Sequence, residues 1–114
     1  MQVNDFLEKI KKQPNEIEFS DVIALIDNNY HFSETEFQNG AQLNLAGQNS
    51  GSCKIFSFAN LHNLDERHTL ACFGRYYRED VLSHPQASDH QNIRQFMISG
   101  WQGIKFSDQA LTEK

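Results

Sequence analysis

The sequence predicts a single α+β domain over residues 1–114, dominated by about five helices and completed by two short strands. Five segments repeat apolar residues at the spacing of one helix face, and two short segments are rich in aromatic or other strand-forming residues. The chain has 114 residues, 39% of them hydrophobic and nine of them Phe, which is enough apolar bulk for one core.

The first helix is predicted over residues 3–12. Its apolar residues, from Val3 to Ile10, recur at i, i+3, i+4 and i+7 and therefore share one face. Pro14 ends this helix because proline cannot continue a helical hydrogen-bond ladder.

The second helix is predicted over residues 20–29. Ser20 is a suitable N-cap, Phe19 supplies the apolar residue before it, and Asp21 lies where the positive end of the helix dipole favours an acid. The aromatic and Thr-containing segment that follows predicts a short strand over residues 31–37. Asn39-Gly40 then predicts a turn.

A long segment without any charged residue runs from Phe37 to Cys53. It leads into residues 53–61, where the apolar pattern fits either a strand face or a helix stripe. We favour a helix over residues 52–62, with Ser52 as its cap.

The longest helix is predicted over residues 66–82. Asp65 is its expected N-cap, and apolar residues recur at helical spacing as far as the His84-Pro85 pair. Gly74 lies on the apolar stripe, where the missing side chain predicts the close approach of another element in a tight helix crossing.

The last helix is predicted over residues 89–99. Ser88 and Gln91 have the spacing of a capping box, and Gly100 is placed as the C-terminal stop, after which Trp101 is expected to pack back on the core. A final short strand is predicted over residues 103–107.

The charge distribution disfavours two classes of partner, nucleic acids and anionic membranes. The net charge is -5, and residues 1–36 carry eight acids against three lysines. A surface of this sign lacks the basic stripe that binds phosphate backbones. The longest apolar run, Val22 to Ile26, is also far shorter than a membrane span.

The cysteines and histidines match no known metal or nucleophile motif. Cys53 and Cys72 are 19 positions apart, and we expect two buried reduced thiols, which suit a reducing cytoplasm. The five histidines show no metal-ligand spacing, so we predict neither a metal site nor a cofactor.

The uncharged segment is the first candidate binding site. Its glycines precede a helix start, but Ser52 and Cys53 separate Gly51 from Lys54, so the spacing is not that of a nucleotide-binding phosphate loop. We expect an ordered polar loop in which Gln48, Asn49 and Ser52 form a small recognition site at the helix start. The alternative is that these side chains only brace their own loop.

Two arginines and one histidine complete the set of candidate binding residues. Guanidinium groups recognise carboxylate and phosphate with paired donors, which makes Arg78 and Arg94 candidates, although ordinary surface ion pairs are the simpler interpretation. His90 follows an acid and is a candidate acid-base group, as is His68.

Three long phrases, NLAGQNSGSCKIFSFANL, TLACFGRYYREDVL and DHQNIRQFMISGWQGIKF, resemble the HopJ family of small bacterial proteins named after a type III secretion effector. The resemblance covers nearly the whole chain and implies one HopJ-like domain. It implies no known catalytic residues.

Two function hypotheses follow from these observations. We favour a non-enzymatic binding or interaction module whose partner is a protein or a small molecule. The alternative is a small enzyme in which His90 or His68 moves a proton and Arg78 or Arg94 holds an anionic substrate. The family name implies type III export, but the amphipathic first helix and the single Ser in the first 20 residues favour a resident cytoplasmic protein.

Overall fold

The computed structural model describes all residues from Met1 to Lys114 and confirms the predicted α+β class. The helices are α1 (Val3–Lys12), α2 (Phe19–Asn29), α3 (Ser50–Leu61), α4 (Glu66–Ala71) and α5 (Gln91–Ser99), with 3-10 turns at Pro14–Glu16 and Gly100–Gly103 and a π-helical segment at Tyr76–Val81. The strands are β1 (Tyr30–Phe32), β2 (Phe37–Asn39), β3 (Gln42–Asn44), β4 (Ile104–Phe106) and β5 (Leu111–Glu113).

The strands form two small antiparallel sheets. One pairs β1 with β5, and the other has the order β3-β2-β4. The single strand predicted over residues 31–37 is therefore wrong, because that stretch contributes to two strands in different sheets. Strands of three residues are too short to show a period of two in the sequence. The predicted turn at Asn39-Gly40 connects β2 to β3, so the uncharged segment begins as a hairpin.

The core is centred on α3, which confirms the choice of helix for residues 53–61. Five consecutive residues, Ile55 to Ala59, are buried, so this helix is apolar on nearly every side. That explains why neither a strand face nor a helix stripe stood out in the sequence. The Phe56 ring lies within 6.4 Å of the ring centroids of Phe37, Phe73, Phe96 and Trp101.

The predicted continuous helix over residues 66–82 is wrong, because the chain breaks at Gly74. This glycine has φ +59, and a Cβ placed there would lie 2.7 Å from the backbone nitrogen of Phe19 and 3.0 Å from the carbonyl of Ile17. The predicted close approach is therefore confirmed, but it is made by the backbone that enters α2 and not by a helix crossing. Only glycine combines this φ with this contact at low cost.

The helix boundaries correct three predicted caps and confirm one. The caps predicted at Ser20, Ser52 and Ser88 are wrong, since α2, α3 and α5 begin at Phe19, Ser50 and Gln91 without a side-chain cap. The predicted cap at Asp65 is confirmed, because its carboxylate accepts a hydrogen bond from the backbone N–H of His68 at 2.8 Å.

The end of α5 matches the sequence prediction. Gly100 has φ +59 and ends the helix. Trp101 then packs edge-on against Phe96, and its indole N–H donates to the carbonyl of Leu64 at 2.9 Å. The predicted last strand is confirmed as β4.

Candidate functional site

A cavity of about 490 Å³ lies where the first residues of α3 and α5 meet. The start of α2 contributes Phe19, strand β3 contributes Gln42, the turn after α4 contributes Phe73, and the π-helical segment contributes Tyr76. The volume is within the range of small-molecule sites.

The starts of α3 and α5 have the same unusual geometry. The residue before each helix, Asn49 for α3 and His90 for α5, is left-handed, with φ 52 and φ 51. The first intrahelical bonds come from the N–H groups of Cys53 and Arg94, so the three amides before each of them have no acceptor in the protein. Amide groups of this kind and the positive end of the helix dipole both attract anions.

Four asparagines fix the two helix starts relative to each other. The side-chain oxygen of Asn44 accepts from the side-chain amides of Asn49 at 2.7 Å and Asn92 at 2.9 Å. Asn39 donates to the side-chain oxygen of Asn92 at 3.0 Å. Because Asn39, Asn44 and Asn92 are buried, the β2–β3 hairpin holds both helix starts in place before any ligand arrives.

His90 is the only imidazole in the cavity wall, and a carboxylate orients it. Its Nε2 lies 3.0 Å from the Asp80 Oδ2 atom and 3.9 Å from the Asp89 Oδ2 atom. The Tyr76 ring lies 4.9 Å from the imidazole at an interplanar angle of 31°. No carboxylate lines the cavity itself, since neither Asp80 nor Asp89 belongs to its wall.

Three aromatic rings form the apolar wall beside the helix starts, where a Cβ placed on Gly51 would lie 2.8 Å from the Phe19 ring. Phe19 stacks on Phe73 with centroids 6.3 Å apart and meets Tyr76 at 5.1 Å. Phe73 is buried, whereas Tyr76 is 42% exposed. The cavity therefore has a polar side made of amides and an apolar side made of rings.

The structure brings three of the six predicted binding residues together, since Asn49, Ser52 and His90 all line the cavity. Gln48 does not line it, and its side-chain oxygen accepts a hydrogen bond from the backbone N–H of Leu45 at 3.1 Å. The Asn49 side chain also bonds within the protein, to Asn44, so both amide side chains brace the loop.

Arg78 and Arg94 lie outside the cavity and are engaged in ion pairs. Arg78 donates to the carbonyl of Ile17 and, at 3.0 Å, to Glu18, while Arg94 donates to Asp89 at 2.6 Å. The Arg94 hydrogen bond lowers the pKa of the Asp89 carboxyl.

Burial works to raise the pKa of the Glu18 carboxyl, but hydrogen bonds from Arg75 and Arg78 outweigh this effect and hold that pKa below its usual value. These carboxylates therefore stay ionised and keep the guanidinium groups engaged.

The other predicted acid-base residue, His68, lies in α4. Its Nδ1 atom is 3.0 Å from the Asp65 carboxylate, and its Nε2 atom is buried without a partner.

The cysteines are free and buried, as the sequence predicted. Burial raises the pKa of the Cys72 thiol to about 12 and also raises the pKa of the Cys53 thiol. Neither thiol is therefore a ready nucleophile. No group of three or more His, Cys, Asp or Glu side chains is placed to hold a metal ion.

Four residues that shape the cavity were not predicted as site residues from the sequence: Asn44, Asn92, Tyr76 and Asp80. One signal was available for the asparagines, because Asn39, Asn44 and Asn49 recur every five residues in the uncharged segment. Nothing in the sequence indicated that Asn92 joins them from a distant helix.

The fold and this cavity define a small α+β domain with a preorganised polar cavity between two helix starts. The chain belongs to the HopJ family, whose model, described as HopJ type III effector protein, matches residues 3–111. This confirms the predicted family.

A solved relative has the same fold. The chain is similar to the crystal structure of the unknown-function protein VPA0580, with 53% sequence identity and a TM-score of 0.98 over 100% of this chain and 95% of that chain. The chain matches no curated protein significantly. None of its helices is long and apolar enough to cross a membrane.

Proposed function

We propose that this HopJ-family protein is a non-enzymatic binding module that holds an anionic group of its ligand between the starts of α3 and α5. The observation that carries the proposal is the convergence of two uncapped helix starts on one cavity whose wall contains no carboxylate.

Electrostatics favours an anion at this position. Each helix start is equivalent to about half a positive charge. Two such starts, with open amides, offer hydrogen-bond donors to an anion from two directions.

Preorganisation favours binding as the role of these amides. The asparagine network fixes the two helix starts at no cost to the ligand, because the hydrogen bonds of Asn44 and Asn92 exist in the free protein. A site that is ordered in advance loses less entropy on binding. The side chains of Gln48 and Asn49 serve this bracing role, and we assign the ligand contacts to the backbone amides and to Ser52.

Titration calorimetry with sulfate and with inorganic phosphate tests the proposal. We expect both anions to bind the wild type and to raise its melting temperature. Ser52→Asp places a carboxylate at the start of α3, so it should abolish binding. The same change should leave the fold intact, because an acid in the first turn of a helix is favourable by roughly 0.3–1 kcal/mol.

Ser33→Asp is the matched control, since Ser33 is exposed and lies outside the cavity. It adds the same charge and should leave anion affinity nearly unchanged. The proposal fails if the wild type binds neither anion, or if Ser52→Asp and Ser33→Asp bind equally well.

Acid-base catalysis by His90 is the second candidate function. The observation that favours it is the Asp80 carboxylate 3.0 Å from the imidazole, which is a common way to orient a catalytic histidine. The engagement of Arg78 and Arg94 in ion pairs and the absence of a ready thiolate count against it. Release of p-nitrophenol from p-nitrophenyl phosphate by the wild type, and its loss in His90→Asn, would support catalysis.

The location of the protein is part of the same proposal. We place it in the bacterial cytoplasm because two free, buried thiols suit a reducing compartment. Export through a type III system is the alternative that the family description supplies. Appearance of the protein in the culture medium only when a type III system is intact would decide for export.

A further inference from the structure

The aromatic wall of the cavity carries a further inference, which rests on the proposed function. A tetrahedral anion held at the helix starts fills only a small part of a cavity of about 490 Å³. The remaining space faces Phe19, Phe73 and Tyr76. A ligand with a second, apolar part would fill this space and meet these rings.

The Tyr76 ring is the surface on which that second part can stack. It is 42% exposed although it belongs to an aromatic cluster, and Phe19 at 5.1 Å and His90 at 4.9 Å hold it in place. Phe19, Phe73 and Tyr76 also line a neighbouring depression of about 220 Å³. An exposed ring that is fixed by its neighbours offers a flat surface at little cost in entropy.

The arrangement of the amides indicates which anionic group the ligand carries. The three terminal oxygens of a phosphoryl group point in different directions and can accept from both helix starts at once. A carboxylate has two coplanar oxygens and suits a single planar donor pair. Two converging sets of amides therefore favour phosphate.

We infer that the ligand is an aryl phosphate, with its phosphoryl oxygens on the amides that open α3 and α5 and its ring against Tyr76. An aryl phosphate group can come from two sources: a free aromatic phosphate ester, or the phosphorylated side chain of a tyrosine in a peptide.

Calorimetric titrations with inorganic phosphate, methyl phosphate and phenyl phosphate test the inference. Methyl phosphate has the same anionic group as phenyl phosphate but lacks a ring. We expect phenyl phosphate to bind roughly tenfold more tightly than methyl phosphate, which is what one stacked ring contributes.

Two variants of Tyr76 locate the ring. Tyr76→Ala should lower the affinity for phenyl phosphate to that for methyl phosphate, whereas Tyr76→Phe should keep the wild-type preference. Thermal melts of both variants check that the fold survives the change of an exposed residue. Equal loss of methyl phosphate binding in Tyr76→Ala would show a structural role and overturn the inference.

The possible failures can be told apart. If inorganic phosphate binds but phenyl phosphate is no tighter than methyl phosphate, the inference is overturned and the proposed function stands. If no phosphate binds, the proposed function itself fails. Tighter binding of a short phosphotyrosine peptide than of phenyl phosphate would support the inference and identify a peptide source, and equal binding would support a free ester.

Discussion

The start of α4 differs from the starts of α3 and α5 in whether a side chain of the protein accepts a hydrogen bond from the backbone N–H groups that open the helix. At α4, Asp65 is extended and its carboxylate accepts from the backbone N–H of His68, so the sequence itself satisfies the helix start. At α3 and α5 the preceding residues, Asn49 and His90, are left-handed and provide no side-chain cap. We call the start of α4 closed, because a side chain caps it. We call the starts of α3 and α5 open, because their first amides lack a cap and both starts line the same cavity.

The starts of α1 and α2 also lack a side-chain cap, but only α3 and α5 begin after a left-handed residue, and these are the two starts to which we assign the ligand. Left-handed residues other than glycine are uncommon and carry some strain. An uncapped start also forgoes the roughly 1 kcal/mol that a good cap contributes. Both costs occur together at the two helices that share the cavity, and a buried asparagine network stabilises the arrangement.

The largest effect should come from removing the side chain that ties the two open starts together. Asn44→Ala removes the partners of the side chains of Asn49 and Asn92, and it leaves the buried side-chain amide of Asn92 without a hydrogen bond. A buried group without a partner costs about 1–3 kcal/mol, so we expect a loss of roughly 2 kcal/mol in the free energy of unfolding. Thermal unfolding should show a drop of about 10 °C.

Asn28→Ala is the control for this change, because Asn28 is an exposed asparagine in α2. It should leave the melting temperature nearly unchanged. Equal melting temperatures for Asn44→Ala and the wild type would contradict the view that this network braces the cavity.

The sequence predicted the helices whose boundaries follow from local chemistry. Pro14 ended α1, Asp65 capped α4 and Gly100 ended α5, because each effect depends on one residue and its immediate neighbours. The break at Gly74 escaped prediction, since a glycine on an apolar stripe does not reveal the sign of its φ. Only contact with the backbone that enters α2 decides that sign.

Only those residues of the candidate site that follow from local features of the sequence were predictable. The uncharged segment and the helix-start argument pointed to Asn49 and Ser52, which do line the cavity. The partnership of Asn44 with Asn92 spans 48 positions in the chain and exists only after the helices pack. Arg78 was selected for its chemistry, but Glu18, which is 60 positions away in the chain, engages its guanidinium.

An intermediate effect on stability is expected when the side-chain cap of α4 is removed. Asp65→Ala removes the cap of α4 and should lower the free energy of unfolding by about 1 kcal/mol. Sulfate affinity should not change, because Asp65 does not line the cavity. Chemical denaturation and sulfate titration measure the two quantities separately.

Asp5→Ala is the matched control for the cap. Asp5 is an exposed acid in the first turn of α1 without a capping role, so its loss should cost only a few tenths of a kcal/mol. A sulfate affinity that falls with Asp65→Ala would show that the closed and open starts are not independent.

The smallest effect concerns the Asp89–Arg94 pair beside the start of α5. Arg94→Gln leaves the Asp89 carboxylate without its counter-charge next to the open amides, so sulfate should bind more weakly, by roughly two- to fivefold. The double variant Asp89→Asn with Arg94→Gln removes that carboxylate and should restore the affinity. No restoration would mean that Arg94 acts on the anion directly.

The stability difference between the wild type and Arg94→Gln should depend on pH with a definite sign. The Arg94 hydrogen bond lowers the pKa of Asp89 in the folded state, so the folded protein releases this proton more readily than the unfolded chain does. The stabilisation is fully present above about pH 4, where the carboxylate is ionised in both states. It is lost as the pH falls through the lowered pKa, so the melting curves of the two proteins should converge in acid. A difference that persists unchanged at low pH would show that Arg94 stabilises α5 by packing and not through Asp89.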